Sequence, residues 1–453
     1  MASTDPLPAH DRLLPRLARN IGWLLGGKGI TGLFSLIYLA LAARTLGPIR
    51  FGVFMLVLTY AQLFANIIQF QSWKGVIRFG ALHLAEGRRG HLARVLGFSA
   101  VLDWSSALIG AALAAVGAFI VGPMFSWTAE VQREAAIFSA ALLFSTGATP
   151  TGILRLFDRF DLLTYSEAFM PTVRLIGAIV AWRVSGGVGT FLFVWGLSSV
   201  VQYGATWVTA MIINRGGLAL GRRSLAQAMD ENPKLWRFMW QTSLSSSFGF
   251  LWLQAGTLAV GAYAGPAMAG GFRLADRVAN ALARPTETIT RALYPELARL
   301  VASDDRATLR TLFRRTVVIS GLLAVLIVVI TATGGHLILR LIAGKHFEFA
   351  QPFLLLLSIA AAINIAGFVL EPFHNAHGRS GRVLRARMVA AAVYIVFLAA
   401  LLPTLGAIGA AIAAVVTAAV IVGQLALSAR DILRRGRIEP GTVEAPVQSV
   451  AAD

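Results

Sequence analysis

Between Gly265 and Arg291 the chain reads GPAMAGGFRLADRVANALARPTETITR. Arg273, Asp276, Arg277, Asn280, Arg284, Glu287 and Arg291 recur there at intervals of three and four, so on a helix they share one face. The opposite face is Ala, Val, Leu and Phe. The stretch is apolar enough to cross a bilayer, where each charge costs roughly 2.5–3.5 kcal/mol. A whole polar stripe must therefore face a protein interior or a wet cavity. Guanidinium groups bind phosphate bidentately and stay charged when buried. Arg273, Arg277 and Arg284, with Asn280 between them, accordingly suit an anionic headgroup on a transport path. Asp276 is the competing element, because it can neutralise Arg273 or Arg277 in an ion pair. One carboxylate does not balance that many guanidinium groups.

Three further charges fall inside apolar runs. Lys28 and Asp103 lie at similar depth from the same side, so pairing is geometrically open, and Arg174 lies at a comparable level. Lys28 can equally snorkel to the interface, and Arg174 can form a salt-bridged face with Glu167. Asp103 and Asp276 are the clear intramembrane acids and hence the coupling candidates, Asp103 with Lys28 forming a candidate relay. Glu371, His374 and His377 lie three apart, a metal-like spacing, but Pro372 and Gly378 mark the stretch as a loop and no second ligand cluster exists. No metal or cofactor is expected.

The elements that position these groups are membrane helices. Of 453 residues 57% are hydrophobic and 14% charged, with no cysteine, so disulfides and thiolate metal sites are excluded. Apolar runs long enough to span a bilayer recur along the chain. They fall near 21–43, 51–72, 97–121, 136–154, 167–183, 190–213, 237–260, 267–289, 316–338, 352–370, 387–403 and 406–428. The fold class is an all-α polytopic membrane protein of about twelve transmembrane helices. The net charge of +18 resides mainly in the two tails and the even-numbered loops. That is the positive-inside pattern, with both termini cytoplasmic and anionic membrane lipid as the partner, so no nucleic acid is called for. Residues 1–20 read as a cytoplasmic tail rather than a cleaved signal, and 429–453 as a second cytoplasmic tail. The loop KGVIRFGALHLAEGRRGHLARVLG and the region from Arg291 to Arg315 are basic and amphipathic, as expected of helices lying on the membrane surface. The outer loops are short and leave no room for an outer domain.

An internal repeat organises the runs. Gly47–Phe54 reads GPIRFGVF and Gly265–Phe272 reads GPAMAGGF, an offset of 218 that also maps Gln62, Asn66, Gln69 and Trp73 onto Asn280, Arg284, Glu287 and Arg291. The chain thus reads as a first lobe over 21–213, a cytoplasmic linker over 214–236 and a second lobe over 237–428. The two six-helix lobes are parallel repeats around a central cavity. The second and eighth spans turn their polar faces to that shared centre, one supplying amides and Trp73, the other charge. Pro285 is a natural bending point for the eighth span.

The opening WLLGGKGITGLFSLIYLALAARTLGPIRFGVFMLVLTYAQLF, followed by FQSWKGVIRFGA, and the later YPELARL resemble bacterial polysaccharide flippases. These form the Wzx-type branch of the multidrug/oligosaccharidyl-lipid/polysaccharide exporter superfamily. The resemblance implies translocation of polyprenyl-pyrophosphate-linked oligosaccharide repeat units, such as those of O-antigen and lipopolysaccharide, across the bacterial inner membrane. It implies no enzymatic chemistry, cationic cavity residues such as Arg273 and Arg277 at the anionic linkage, and a polysaccharide polymerase as protein partner. The rivals are a cation-coupled multidrug exporter of the same superfamily, a membrane glycosyltransferase or polymerase, and a lipid-II-type flippase. Drug export asks for more membrane carboxylates than Asp103 and Asp276. Transferase chemistry asks for paired acids or large outer loops.

Overall fold

The computed structural model describes residues 13–435 apart from 145, 216, 284–299, 301–305 and 378. Among the described residues every regular element is helical. Helix α1 (Leu13–Ile68) carries the first two expected spans in one run, broken at Gly47 (φ 68°, ψ 175°) just before Pro48. Glycine enters that region without steric cost, and the proline that follows has no N–H to donate. Helix α9 (Leu235–Ala283) repeats the device for the seventh and eighth spans, with Gly265 at φ 85° and ψ 172° before Pro266. The sequence repeat is therefore a repeat of backbone conformation.

Between these lie α2 (Ser72–Ala85), α3 (Arg89–Val121), α4 (Ala129–Phe144), α5 (Ala148–Leu156), α6 (Phe160–Arg183), α7 (Val188–Ile213) and α8 (Arg222–Glu231). After α9 come α10 (Arg306–Ala343), α11 (Gln351–Ala366), α12 (Leu370–Ala376), α13 (Ser380–Leu405) and α14 (Ala407–Arg435). The run expected over 136–154 is thus two helices, and α11 with α12 shows the same broken form in the second half. The stretch around His374, expected as a loop, is the short helix α12. Pro372 stands in its first turn, where a proline costs no intrahelical bond.

Eight described helical stretches are long and apolar enough to cross a membrane. Helices α6 and α9 are not among them because polar residues dilute their runs. Side chains such as Leu108, Ile109 and Ile120 on α3, and Ile319, Leu322 and Val325 on α10, stand exposed. Exposed apolar surface on that scale needs lipid, not water.

The chain forms two compact units, Phe34–Arg273 with Ile342–Phe347, and Met1–Leu33 with Leu274–Leu341 and Glu348–Asp453. In the first unit, buried Phe51, Phe54 and Phe191 gather with Trp195, which meets Tyr38 edge-on at 4.8 Å. The repeat-equivalent glycines meet there too, because a Cβ on Gly270 would lie 2.8 Å from the Gly52 Cα, and one on Gly52 would lie 1.8 Å from the Pro266 carbonyl oxygen. Two helix backbones can approach this closely only where side chains are absent. The second unit is built on Leu309, Val369, Phe373, Val383 and Leu425.

The basic helix α2, expected to lie along the membrane surface, packs one face on the protein. It buries Gly75 on Met239, Val76 and Gly80 against α5, and His83 against Asn232. The segment expected as a linker is also fastened. Ala219 N–H donates to Ala93 O at 3.0 Å, and Glu231 pairs with Arg94 at 2.5 Å.

Candidate functional site

A charge survives in the membrane only if polar groups surround it, so each candidate is defined by what it touches. Arg273 is 6% exposed and donates from Nη2 to Gln254 Oε1 at 3.1 Å. Gln254 is itself buried, and its Nε2 lies 3.4 Å from Gln62 Oε1. The first unit thus joins Gln62 of the second span to Arg273 of the eighth through an amide from the seventh. Sequence reasoning missed Gln254. Its run also holds Gln241 and several hydroxyl residues, so one amide among them lacked the periodicity that drew attention to the eighth span.

In the second unit Asp276 accepts from Asn280, whose Nδ2 lies 2.8 Å from both the Asp276 carboxylate and its backbone carbonyl. Arg277 and Asn280 are exposed. Arg284, Pro285, Glu287 and Arg291 lie outside the described residues, and the side chain of Lys28 does as well, so the Lys28–Asp103 relay is not described.

The remaining first-lobe candidates separate into distinct places. Gln69 Nε2 donates to Leu143 O at 3.1 Å, tying the end of α1 to the last turn of α4. Asn66 is half-buried. Among the described residues no ion pair joins Arg174 to Glu167. The Arg174 Nε donates to Ser198 Oγ at 2.9 Å, and its guanidinium lies 5.2 Å from the Trp195 ring and 6.0 Å from Tyr38. Trp73 donates from Nε1 to Gln71 Oε1 at 2.9 Å. The Arg155 guanidinium stands 4.5 Å from its ring.

Asp103 is 1% exposed. Its Oδ1 accepts from Ser72 Oγ, and its Oδ2 accepts from Thr149 N at 2.8 Å and Thr149 Oγ1 at 2.7 Å. Ser72 opens α2 and Thr149 is the second residue of α5. The carboxylate therefore accepts a backbone N–H at the start of α5, where such groups lack partners and negative charge is favoured, and ties that helix to the first residue of α2 through the Ser72 hydroxyl.

Glu371 forms a bidentate pair with Arg387 at 2.7 and 3.0 Å. His374 and His377 place Nδ1 2.8 Å from the carbonyls of Leu370 and Phe373, one turn back. No group of metal-ligating side chains assembles among the described residues.

The arrangement that does assemble is one buried guanidinium, Arg273, with the amides Gln254 and Gln62 on neighbouring membrane helices. It can hold an anion and hydroxyl groups, and it is built on a fold with known relatives. A multidrug resistance transporter of the MATE family, of the MOP superfamily, in an inward-facing conformation, superposes with a TM-score of 0.67 at 14% identity, covering 89% of this chain and 94% of that one. The lipid II flippase MurJ, in an inward closed conformation, gives 0.66 at 12% identity over 89% of this chain and 86% of that one. At such identities the likeness shows the fold alone. In sequence, the chain is 29% identical over 300 residues to the inner membrane protein YghQ of Escherichia coli (strain K12), covering 64% of this chain and 82% of the relative. Residues 17–301, well over half of the chain, match the family described as polysaccharide biosynthesis protein. That match spans the glycine–proline breaks, Asp103 and the Gln62–Gln254–Arg273 chain, and the protein is a member of this polysaccharide biosynthesis family of polytopic membrane proteins.

Proposed function

We propose that the protein is a flippase that carries polyprenyl-pyrophosphate-linked oligosaccharide repeat units across the bacterial inner membrane, in the manner of the Wzx-type branch. The fold alone does not choose, because it is as close to a drug exporter as to a lipid II flippase, at 0.67 against 0.66. Family membership tilts the balance towards glycans. The observation that carries the reading is Arg273, a buried guanidinium in a membrane helix that donates to the Gln254 amide, itself within reach of Gln62. A cation so held favours an anionic headgroup over a cationic drug.

In this reading two six-helix lobes, joined by 214–236, rock about a central cavity with both termini cytoplasmic. Arg273, Arg277, Asn280 and Arg284 serve the pyrophosphate, with Lys28 and Arg174 as further cations. Gln62, Asn66, Gln69 and Trp73 serve the sugars. Asp276 and Asp103 are the candidates for coupling to an ion gradient, and a polysaccharide polymerase receives the product.

Deletion of the gene in its native bacterium tests the proposal. The expected result is loss of surface polysaccharide with lipid-linked repeat units trapped on the cytoplasmic face. Normal glycans together with new sensitivity to cationic drugs refute it in favour of an exporter. Arg277→Ala abolishes export while the protein stays inserted, and unimpaired export removes Arg277 from the path.

A further inference from the structure

Outside the cations that the flippase reading places in the cavity, two share a single aromatic ring. Lys74 stands in the first turn of α2 and Arg155 in the last turn of α5. Both gather on one indole, with Arg155 at 4.5 Å and Lys74 Nζ at 5.6 Å from the Trp73 ring centroid. Arg88, Arg94, Arg159 and Arg387 each hold a carboxylate. Among the described residues neither Lys74 nor Arg155 does, and the Arg155 Nε is buried with no hydrogen-bond partner. Lys74 Nζ reaches only a hydroxyl, Ser246 Oγ at 3.3 Å.

The surroundings hold this group in place. Gly152, one turn before Arg155, packs so tightly on α2 that a Cβ there would lie 2.9 Å from the Trp73 Cα. Asp103 binds Ser72, the neighbour of Trp73, and Thr149 at the start of α5, fixing both helices. Two cations, an aromatic face and the Gln71 amide that orients it are thus positioned before any ligand arrives. Pre-organisation of this kind lowers the ordering cost of binding. The place also selects the ligand, because α2 begins only four residues after the apolar run of α1 ends at Ile68. An anion arriving there is at headgroup level. Two cations sharing one ring answer a doubly charged group better than the single phosphate of an ordinary glycerophospholipid.

We propose that Lys74 and Arg155, set around Trp73, form an entry station that binds the diphosphate of an isoprenoid-linked glycan before it reaches the Arg273 region. The station rests on the flippase reading but is tested apart from it. Purified protein in nanodiscs is titrated with farnesyl diphosphate, and in parallel with farnesyl monophosphate, inorganic pyrophosphate and added phosphatidylglycerol. Farnesyl diphosphate binds best, and Arg155→Gln and Lys74→Gln each weaken it by about tenfold or more, as expected for loss of one charge-assisted contact. Their thermal unfolding stays at the wild-type value. Unchanged affinity in both variants overturns the station. Equal, variant-sensitive binding of phosphatidylglycerol overturns it too, in favour of a general lipid contact. Binding of inorganic pyrophosphate as tightly as farnesyl diphosphate removes the isoprenoid from the assignment. If deletion of the gene traps lipid-linked glycan and Arg155→Gln restores export fully, the station falls and the flippase stands. If deletion leaves all glycans normal, the flippase reading falls whatever the probe does.

Discussion

Asp103 is the residue whose replacement says most about how this fold is held, and two substitutions separate the possible reasons. Its carboxylate accepts three hydrogen bonds, two from Thr149 and one from Ser72, at a site with 1% exposure. Hydrogen bonds to a charged acceptor contribute about 1.5–3 kcal/mol each, and an orphaned buried donor costs about 1–3 kcal/mol. In Asp103→Ala the two hydroxyls can turn to backbone carbonyls, as Thr59 and Ser99 do at their own i−4 positions. The Thr149 N–H cannot turn, so the net loss is about 3–5 kcal/mol, near the upper end for single substitutions. In Asp103→Asn one oxygen still accepts both Thr149 bonds, and the Ser72 hydroxyl reverses to accept from the new amide, so the loss falls to about 1 kcal/mol. Thermal unfolding in detergent should therefore rank wild type above Asn, and Asn well above Ala. Equal midpoints for Ala and wild type refute the capping argument. Asparagine that unfolds like wild type yet abolishes transport, and with it any pH dependence, shows that the charge itself works in the cycle. That outcome supports the coupling role proposed for Asp103.

Gly52→Val and Gly270→Val force apart backbones whose closest approach leaves no room for a Cβ, at a cost of about 1–3 kcal/mol or more. Gly321→Ala on α10, where a Cβ meets nothing within 4 Å, is neutral or stabilising, and thermal midpoints that fail to separate the two classes sink the crossing. Gln254→Leu strips an acceptor from the Arg273 guanidinium and costs about 1.5–3 kcal/mol, whereas Gln254→Glu retains an acceptor; equal stability of Leu and wild type shows that the amide is dispensable. At Glu231 burial raises the carboxyl pKa, but the Arg94 hydrogen bond and charge, with His91 and His83, outweigh it and hold the pKa below its ordinary value. The ionised form is thus favoured in the folded state, so its stabilisation is present above the ordinary glutamate value of about 4.3 and fades as pH falls below it. Hydrogen exchange in α8, corrected for intrinsic rates, should quicken below that pH in wild type and be fast throughout in Glu231→Gln; a profile identical in the two proteins breaks the clamp.

Where chemistry is local, the sequence is legible. Gly47-Pro48 and Gly265-Pro266 announce helix breaks because one residue tolerates positive φ and the next has no N–H to give, and both breaks stand at the expected places. Helical spacing likewise placed Arg273 on an inward face, since a membrane helix has nowhere else to put a guanidinium. The break between α4 and α5 is marked by Gly147 and Pro150, but they are not adjacent and the apolar run reads through them. The break accompanies Asp103, which reaches Thr149 46 residues away, a contact that only tertiary packing creates. Pro372 misled for the opposite reason, because its effect depends on whether it falls in the first turn of a helix or beyond it, and no short window reveals which.

Periodicity therefore identifies which polar residues face inward, but not which of them are already engaged. Asp103, Gln69 and Arg174 look alike in sequence to Arg277, since all are polar groups within apolar runs. In the folded chain Gln69 ties two helices, Arg174 sits between a serine and two aromatic rings, and Asp103 joins the starts of two helices. A polar group in lipid must be satisfied, and these groups meet that demand inside the protein before any substrate arrives. A substrate gains most from groups whose neighbours in the protein are too few or of the wrong kind. Arg155 and Lys74 fit that description though neither lies on the polar stripe that first drew attention, because the test is an unmet charge rather than a helical face.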